Sequence, residues 1–392
     1  MMRRVPFSWL NVTADRQKLI FSMLAIGFAV FLMLIQIGFK QALVDSNTGF
    51  LRLVDYDLII VSKRRYTSFI EQTFPRSVLV SARAAQGVID GCPLYQTTSI
   101  WKPRRSARRR PIRVYGVATD CRVNMLESAG INPAKLQADY SVIADQLSRK
   151  EYGSLKPGVE AELDGRRVRV VDRFELGADF SADGTLIMSD STFLRLFSDR
   201  PSGIEANLRP DLDQVDMGVI RLSKSANVQQ TQALIQKALP SDVLVLSKKE
   251  ILNREEKYWN EATPIGFMFN LGTAMGFVVG ILIVRNLLNT ELENNIHQYA
   301  TLKAIGHSEH TLRSYIVQQG LILGALGVPG GILLSGFIYG QVSSATGLTM
   351  RLYPGTVLGV SLLTLMMGAI SGLLAAQRLH RLDPVAILES HT

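Results

Sequence analysis

Hydrophobic and polar residues in this chain are sorted into blocks. Four stretches, 19–39, 264–284, 316–342 and 356–376, contain no Asp, Glu, Lys or Arg. Each reaches the roughly 20 residues that an α-helix needs to cross a hydrocarbon core about 30 Å thick. The pattern predicts four transmembrane helices, at 19–44, 261–285, 315–343 and 356–377. The first reads as a retained anchor, because its apolar run exceeds the roughly 7–15 residues of a signal peptide and Gly38-Phe39-Lys40 is no small-residue cleavage site.

Between the first two spans the pattern changes. Leu58, Ile59, Ile60 and Val61 after Asp57 read as a buried strand, followed by a helix near Phe69 and Ile70. Strands are expected at 94–101, 112–118, 218–222 and 243–246, and a helix at 226–239. The β-rich arms of 158–175 flank Asp164-Gly165, a two-residue hairpin signal. The segment 45–260 is thus expected to be one α+β domain, with 150–205 as a β-rich subdomain inserted into it. Helical patterns at its two ends, running past Val44 toward Leu53 and over 250–259, predict a pair of stalk helices.

Charge sets the orientation. Arg3, Arg4, Arg16 and Lys18 precede the first span, Arg285, Lys303 and Arg313 lie between the second and third, and Arg378 and Arg381 follow the fourth. The opposite flanks hold only Lys40 and Arg351. Lys and Arg resist translocation, so both termini are expected in the cytoplasm and 45–260 outside it. The segments 1–18, 286–314 and 378–392 then face the cytoplasm, and 344–355 is a short outer loop. With Phe7, Trp9, Leu10 and Val12 among polar residues, the first segment suits equally an amphipathic helix in the membrane interface and an ordinary cytoplasmic cap. The segregation also explains a hydrophobic content of 47% beside a charged content of 20%.

Several chemistries are excluded. All five histidines lie on the cytoplasmic side and both cysteines, Cys92 and Cys121, in the exported segment, so no mixed Cys/His zinc site forms. Without histidine the exported segment holds no Ser-His-Asp or Cys-His arrangement. Its two cysteines read equally as a disulfide or as two small buried thiols. Asp179 and Asp183, around Phe180, sit at turn-like positions and receive no role. His307 and His310 lack a third ligand and read as ordinary polar positions. Charge-free spans argue against an ion-coupled transporter. No Gly-x-x-x-x-Gly-Lys-Ser/Thr phosphate loop occurs, nor any Gly-Lys pair.

The loop between the second and third spans is the most informative stretch. Polar residues at 289–298 lead into Tyr299-Ala300-Thr301-Leu302-Lys303-Ala304-Ile305-Gly306-His307-Ser308, and an apolar helical face resumes at Leu312, Ile316 and Val317. A helix that stops at Gly306 and restarts at Ser308 makes a compact elbow. The string Leu302-Lys303-Ala304-Ile305-Gly306 resembles the signature that FtsX-type permeases carry between their second and third spans, and Asp383-Pro384-Val385-Ala386-Ile387-Leu388 resembles their closing motif. Pro6, Trp9-Leu10, Gln36-x-Gly38-Phe39, Ala42-Leu43, Ser46, Asp57-Leu58, Gln318 and Pro329-Gly330 are similar to the DevC branch of cyanobacteria. Many FtsX-type chains carry Glu where this one has Gln319.

The resemblance implies an ABC exporter permease of the MacB/FtsX type, within the type VII ABC superfamily. Its fold would be α-helical with four transmembrane helices plus a large α+β periplasmic domain of the MacB-like porter/sabre type. It implies the inner membrane of a cyanobacterium and a homodimer. Its partners would be a separate DevA-like ABC ATPase, a DevB-like membrane-fusion adaptor, a TolC-like outer-membrane channel and membrane lipids, with no nucleic acid. This chain would be no enzyme and hold no cofactor, ATP and Mg being bound by the partner. Mechanotransmission is the mechanism so implied: the ATPase pushes on the elbow, with Tyr299, Leu302, Lys303, Ala304, Ile305, Gly306 and Ser308 as coupling residues. The cargo class in DevC-like systems is glycolipid, so lipid or another envelope amphiphile leads. Lipoprotein release, multidrug efflux, control of a cell-wall hydrolase and a sensor or adhesin without an ATPase stay open.

Two further features are singled out. Gly272, Gly276 and Gly280, four residues apart, offer a small-residue face for a second helix of the same or a partner subunit. The run containing Arg104, Arg105, Arg108, Arg109 and Arg110 reads either as a docking surface for an acidic adaptor patch or anionic lipid, or as a solvated hairpin tip.

Overall fold

The computed structural model describes residues 7–104, 109–179, 182–197 and 213–377. Its elements in chain order are α1 (Phe7–Ala14), α2 (Arg16–Leu53), β1 (Leu58–Ser62), β2 (Phe74–Pro75), α3 (Arg76–Arg83), β3 (Val88–Pro103), β4 (Arg110–Val117), β5 (Ser141–Asp145), β6 (Glu160–Leu163), β7 (Arg166–Phe174), β8 (Thr185–Ser189) and α4 (Asp190–Leu196). They continue with β9 (Gln214–Val215), β10 (Met217–Leu222), α5 (Val228–Ala238), β11 (Val243–Ser247), α6 (Lys248–Lys257), α7 (Pro264–Asn294), α8 (Ile296–Ala304), α9 (Glu309–Thr346) and α10 (Pro354–Ala376). The chain divides into two compact units, a helical one of Met1–Gln41, Pro264–Gln341 and Met350–Thr392, and a sheet unit of Ala42–Thr263 with Val342–Thr349.

In the sheet unit, nine described strands form one sheet in the order β11-β1-β10-β3-β4-β8-β5-β7-β6. Leu58 and Ile60 of β1 join one hydrophobic cluster, Ile59 and Val61 the other. Both faces are therefore covered, which is why β1 is apolar at consecutive positions rather than alternate ones. The sheet also curls. The end strand β6 pairs back onto the long β3, Trp101 opposite Leu163 and Pro103 opposite Ala161. Strands β3, β4, β8, β5, β7 and β6 thereby close into a ring, with β5 inserted between β8 and β7.

That ring corrects the expected inserted subdomain at 150–205, whose strands complete a barrel-like ring only with β3, β4 and β5 from outside the segment. The hairpin is as its sequence suggests: Asp164 and Gly165 take φ of 50° and 77°, and β6 and β7 pair across them, Leu163 opposite Arg166. The helix expected near Phe69 and Ile70 is a turn. There the Ser68 amide (2.5 Å) and the Thr67 hydroxyl (2.8 Å) donate to the buried carboxyl group of Glu255, so this backbone serves a side chain instead of a helix ladder. The helix begins after Pro75, and α3 buries Val78, Leu79 and Ala82.

Glu255 lies on α6, which opens with a capping box, Ser247 and Glu250 each satisfying the other's backbone amide. The bond from the Ser247 amide holds the Glu250 carboxyl below its usual range. Near Glu255, Arg65 is fully enclosed, 3.6 Å from Asp216 and donating to the Ser68 carbonyl and Gln96 Oε1 at 2.9 and 3.2 Å. Cys92 and Cys121 are joined as a disulfide, resolving the two readings left open by the sequence.

In the helical unit and its extensions, α2, α7, α9 and α10 are long and apolar enough to cross a membrane. Their contacts run through glycines. A Cβ on Gly320 would run into the Gly368 carbonyl, one on Gly324 would stand 3.2 Å from the Thr364 carbonyl, and one on Gly372 2.7 Å from Val317 Cα. Helices α9 and α10 therefore meet backbone to backbone. Gly27 of α2 faces Gly327 and Gly331 of α9 in the same manner.

Candidate coupling site

The elbow is assembled from local rules. Helix α7 runs to Asn294, and Asn295 Nδ2 donates back to the Glu291 carbonyl at 3.0 Å and to its carboxylate at 2.7 Å, which closes that helix. After α8 the Gly306 amide donates to Lys303 and the His307 amide to Leu302, both at 3.1 Å. This is a Schellman cap, and it needs the left-handed φ of 102° that Gly306 adopts. Ser308 then caps α9, its Oγ accepting from the Thr311 amide at 3.3 Å.

The short helix has two faces. Tyr299 and Ala300 are buried, and Leu302 packs partly against the same cluster as Leu312 and Ile316. The Tyr299 hydroxyl donates to Gln319 Oε1 at 3.4 Å. Burial pushes the Tyr299 phenol up to about 12, so it stays a donor at neutral pH. On the outer side Ala304, Gly306, His307 and Ser308 are exposed, and Ile305 is 74% exposed. That isoleucine sits on the last turn before the glycine cap. Lys303 is half-buried beside it.

The N-terminal helix joins this end of the unit. The Ser8 hydroxyl donates to the Tyr315 carbonyl at 3.1 Å and to Gln318 Oε1 at 3.2 Å, while Trp9 and Leu10 remain about half exposed. The sequence signalled the amphipathic pattern but not this docking. Arg3, Arg4 and Pro6 lie outside the described residues, as does 378–392 with the Asp383–Leu388 motif.

The glycine face of α7 meets α2 of the same chain. A Cβ on Gly272 would stand 2.6 Å from Gln36 and on Gly276 3.1 Å from Met33, while on Gly280 it would meet Met367 of α10 as well as Ala29 of α2 at 3.2 Å. Of the arginine run, Arg105 and Arg108 lie outside the described residues. Arg104, 71% exposed in its side chain, pairs with Glu160 at 3.1 Å. Arg110 pairs with Asp183 at 3.0 Å, and Arg109 is exposed. Thus two of the three described arginines are already neutralised within the sheet unit, and Asp183, whose turn-like position suggested no role, is one of the partners.

Residues 270–384 match the family model of the FtsX-like permease C-terminal. The match covers the elbow, all of α9 and α10 and most of α7. No curated protein matches the chain. Among solved structures, the periplasmic region of MacB from Actinobacillus actinomycetemcomitans overlaps 52% of this chain and 94% of its own, at 13% identity and a TM-score of 0.36. The extracellular domain of the noncanonic ABC-type transporter YknZ from Gram-positive bacteria overlaps 49% of this chain and 98% of its own, at 11% identity and a TM-score of 0.32. A domain of a permease protein from Porphyromonas gingivalis overlaps 49% and 89%, at 14% identity and a TM-score of 0.31.

Proposed function

We propose that this chain, whose residues 270–384 match the FtsX-like permease C-terminal, is the membrane subunit of an ABC exporter driven by a separate ATPase. The observation that carries the reading is that match together with the geometry inside it: a Schellman-capped helix presenting Ile305 outward from a chain with no phosphate loop of its own. Force applied at the elbow would pass to α9 through the buried contact of Tyr299 with Gln319 and through Ser308 at the helix start.

In this reading α2, α7, α9 and α10 cross the inner membrane, both termini are cytoplasmic, and the sheet unit is periplasmic. The Lys/Arg asymmetry of the short flanks supports it. So does the disulfide, since such bonds persist in oxidising compartments. The subunit works as a homodimer with two ATPase copies that bind ATP and Mg, and passes a lipid, glycolipid or similar amphiphile to a membrane-fusion adaptor and a TolC-like duct, as the DevC resemblance implies. Its own part is mechanical rather than enzymatic.

The test is purification of the full chain from its native membrane, with co-purifying subunits identified by mass spectrometry. The reading expects an ABC ATPase with a phosphate loop and a periplasmic adaptor. A cell-wall hydrolase in place of the adaptor redirects it to regulation, and absence of any ATPase overturns it.

A further inference from the structure

The last residues of α9 and the loop that follows it belong to the sheet unit: Val342–Thr349 clusters with Ala42–Thr263. Arg149 Nε donates to the carbonyl of Thr346, the last residue of α9, at 2.8 Å. The Ala178 amide donates to the Gly347 carbonyl at 3.1 Å, and Leu348 is buried. Gly177 and Gly347 take φ of 102° and 72°. A Cβ on Gly177 would stand 2.7 Å from Thr349 Oγ1, and one on Gly347 3.1 Å from the Leu147 carbonyl. Only glycine lets these two backbones turn and close on each other.

The receiving side is fixed in advance. The fully buried carboxylate of Asp145 accepts from the amides of Leu147 and Leu176 at 3.0 Å and of Gly177 at 2.8 Å, so one side chain ties together the two loops that hold the segment. Arg149 is doubly anchored to Asp183: its guanidinium pairs with Oδ1, and its amide donates to the Asp183 carbonyl, each at 3.0 Å. Asp183 Oδ2 takes Arg110 at 3.0 Å, and its amide donates to Pro111 at 3.1 Å. A rigid guanidinium fork can hold two partners at once, and a cation suits the carbonyl end of a helix.

We propose that this clasp is a transmission contact, with Arg149 as the positioning residue that fixes the end of α9 to the sheet unit and passes its displacement through Asp183 and Arg110 to the start of β4. The sheet unit is then driven through α9 as well as through the chain ends that enter it at α2 and α6. The inference rests on the permease reading, and its test separates the two.

The first arm needs no partner: amide hydrogen exchange of the full chain in lipid nanodiscs, comparing wild type with Arg149→Lys and Arg149→Ala. Lysine keeps the charge beside Asp183 but replaces the planar two-nitrogen fork by a single ammonium nitrogen. The clasp predicts that protection over 342–349 and at Ala178 falls by about tenfold in Arg149→Ala and by less in Arg149→Lys, with β4 and β8 unchanged. Unchanged exchange over 342–349 in both variants overturns the clasp, and loss of protection across the whole sheet shows a merely structural arginine. Should the alanine variant fail to fold, the lysine variant decides in the same way.

The second arm uses the chain reconstituted with its co-purifying ATPase. Arg149→Lys should lower substrate moved per ATP several-fold while ATP turnover stays at the wild-type rate. Equal transport per ATP removes Arg149 from transmission. If no ATPase co-purifies, the permease reading falls while the first arm still measures the clasp.

Discussion

The two units of this molecule solve burial by opposite means. The sheet unit encloses charge, with Arg65, Asp216, Glu255, Arg113 and Asp145 all nearly inaccessible and each held by hydrogen bonds or ion pairs. The buried polar residues described in the helical unit are hydroxyls and amides such as Ser335, Thr364, Ser371 and Gln319, and its helices meet at glycine. A hydrogen-bonded ion network has few alternative arrangements, because each move strands a buried charge. Glycine faces in dispersion contact, joined by few side-chain bonds such as that of the Ser371 hydroxyl to the Ile281 carbonyl, impose a smaller directional penalty. The contrast suits a unit that keeps its shape while helices shift, and the elbow and the clasp lie where helices end.

The largest expected effect breaks the ion network. Arg65→Ala leaves Asp216 and Glu255 buried without their cation, and should destabilise the sheet unit by about 3–5 kcal/mol. Thermal unfolding of the purified full chain reads this, and a loss below about 1 kcal/mol would show that the network does not hold the unit together.

Next is the glycine crossing. Gly320→Leu places a side chain against the Gly368 carbonyl, and overpacking of this kind costs about 1–3 kcal/mol. Detergent-solubilised variant should elute as an aggregated or dissociated species, whereas Gly340→Leu, at a position open to solvent or lipid, should elute as wild type. Equal behaviour of the two variants would remove close helix approach from the account.

Gly306→Val tests the elbow without touching a core. The left-handed φ costs a residue with a Cβ about 1–2 kcal/mol, so the cap should open while insertion and the sheet unit persist. ATP-driven transport should fall with the folded amount unchanged, and normal transport would clear the elbow of a coupling role.

Acidity sharpens the comparison. Burial raises the Glu255 carboxyl above its ordinary value near 4.5, against the opposing bonds from Thr67 and Ser68. A raised carboxyl binds its proton more tightly in the folded state. Its contribution to stability is therefore full below the unfolded value and lost as pH rises through the folded one. The unfolding temperature of wild type relative to Glu255→Gln should decline from pH 4.5 toward 7, and a difference that grows over that window contradicts the assignment.

The smallest effect belongs to the arginine run. Arg104→Ser breaks an exposed pair with Glu160 and should change stability by less than about 0.5 kcal/mol. If the run docks an acidic adaptor, changing Arg104, Arg105, Arg108, Arg109 and Arg110 to Ser should slow association and flatten its salt dependence. An unchanged association rate would leave a solvated hairpin tip.

What the sequence disclosed follows from the range of each interaction. The four long helices, the strand at 58–62, the Asp164-Gly165 turn and the cap at Gly306 depend on neighbouring residues, and each shows in local pattern. The ring did not, because alternation marks a strand without saying that β5 slips between β8 and β7. The turn at Phe69 follows from Glu255, 187 residues from Ser68, and the clasp joins Arg149 to Thr346 across 197. Arg149, Asp145 and Asp183 carry no periodic signal, and their roles exist only once the loops are brought together.

The central claim is that a separate ATPase engages the elbow. A photo-cross-linking residue at Ile305 in the full chain, irradiated in intact cells, tests it most directly, with the same residue at Arg104 as the comparison. The account predicts an adduct with an ABC ATPase from position 305 and none from 104, and it is contradicted if 305 yields no ATPase adduct or if 104 yields one.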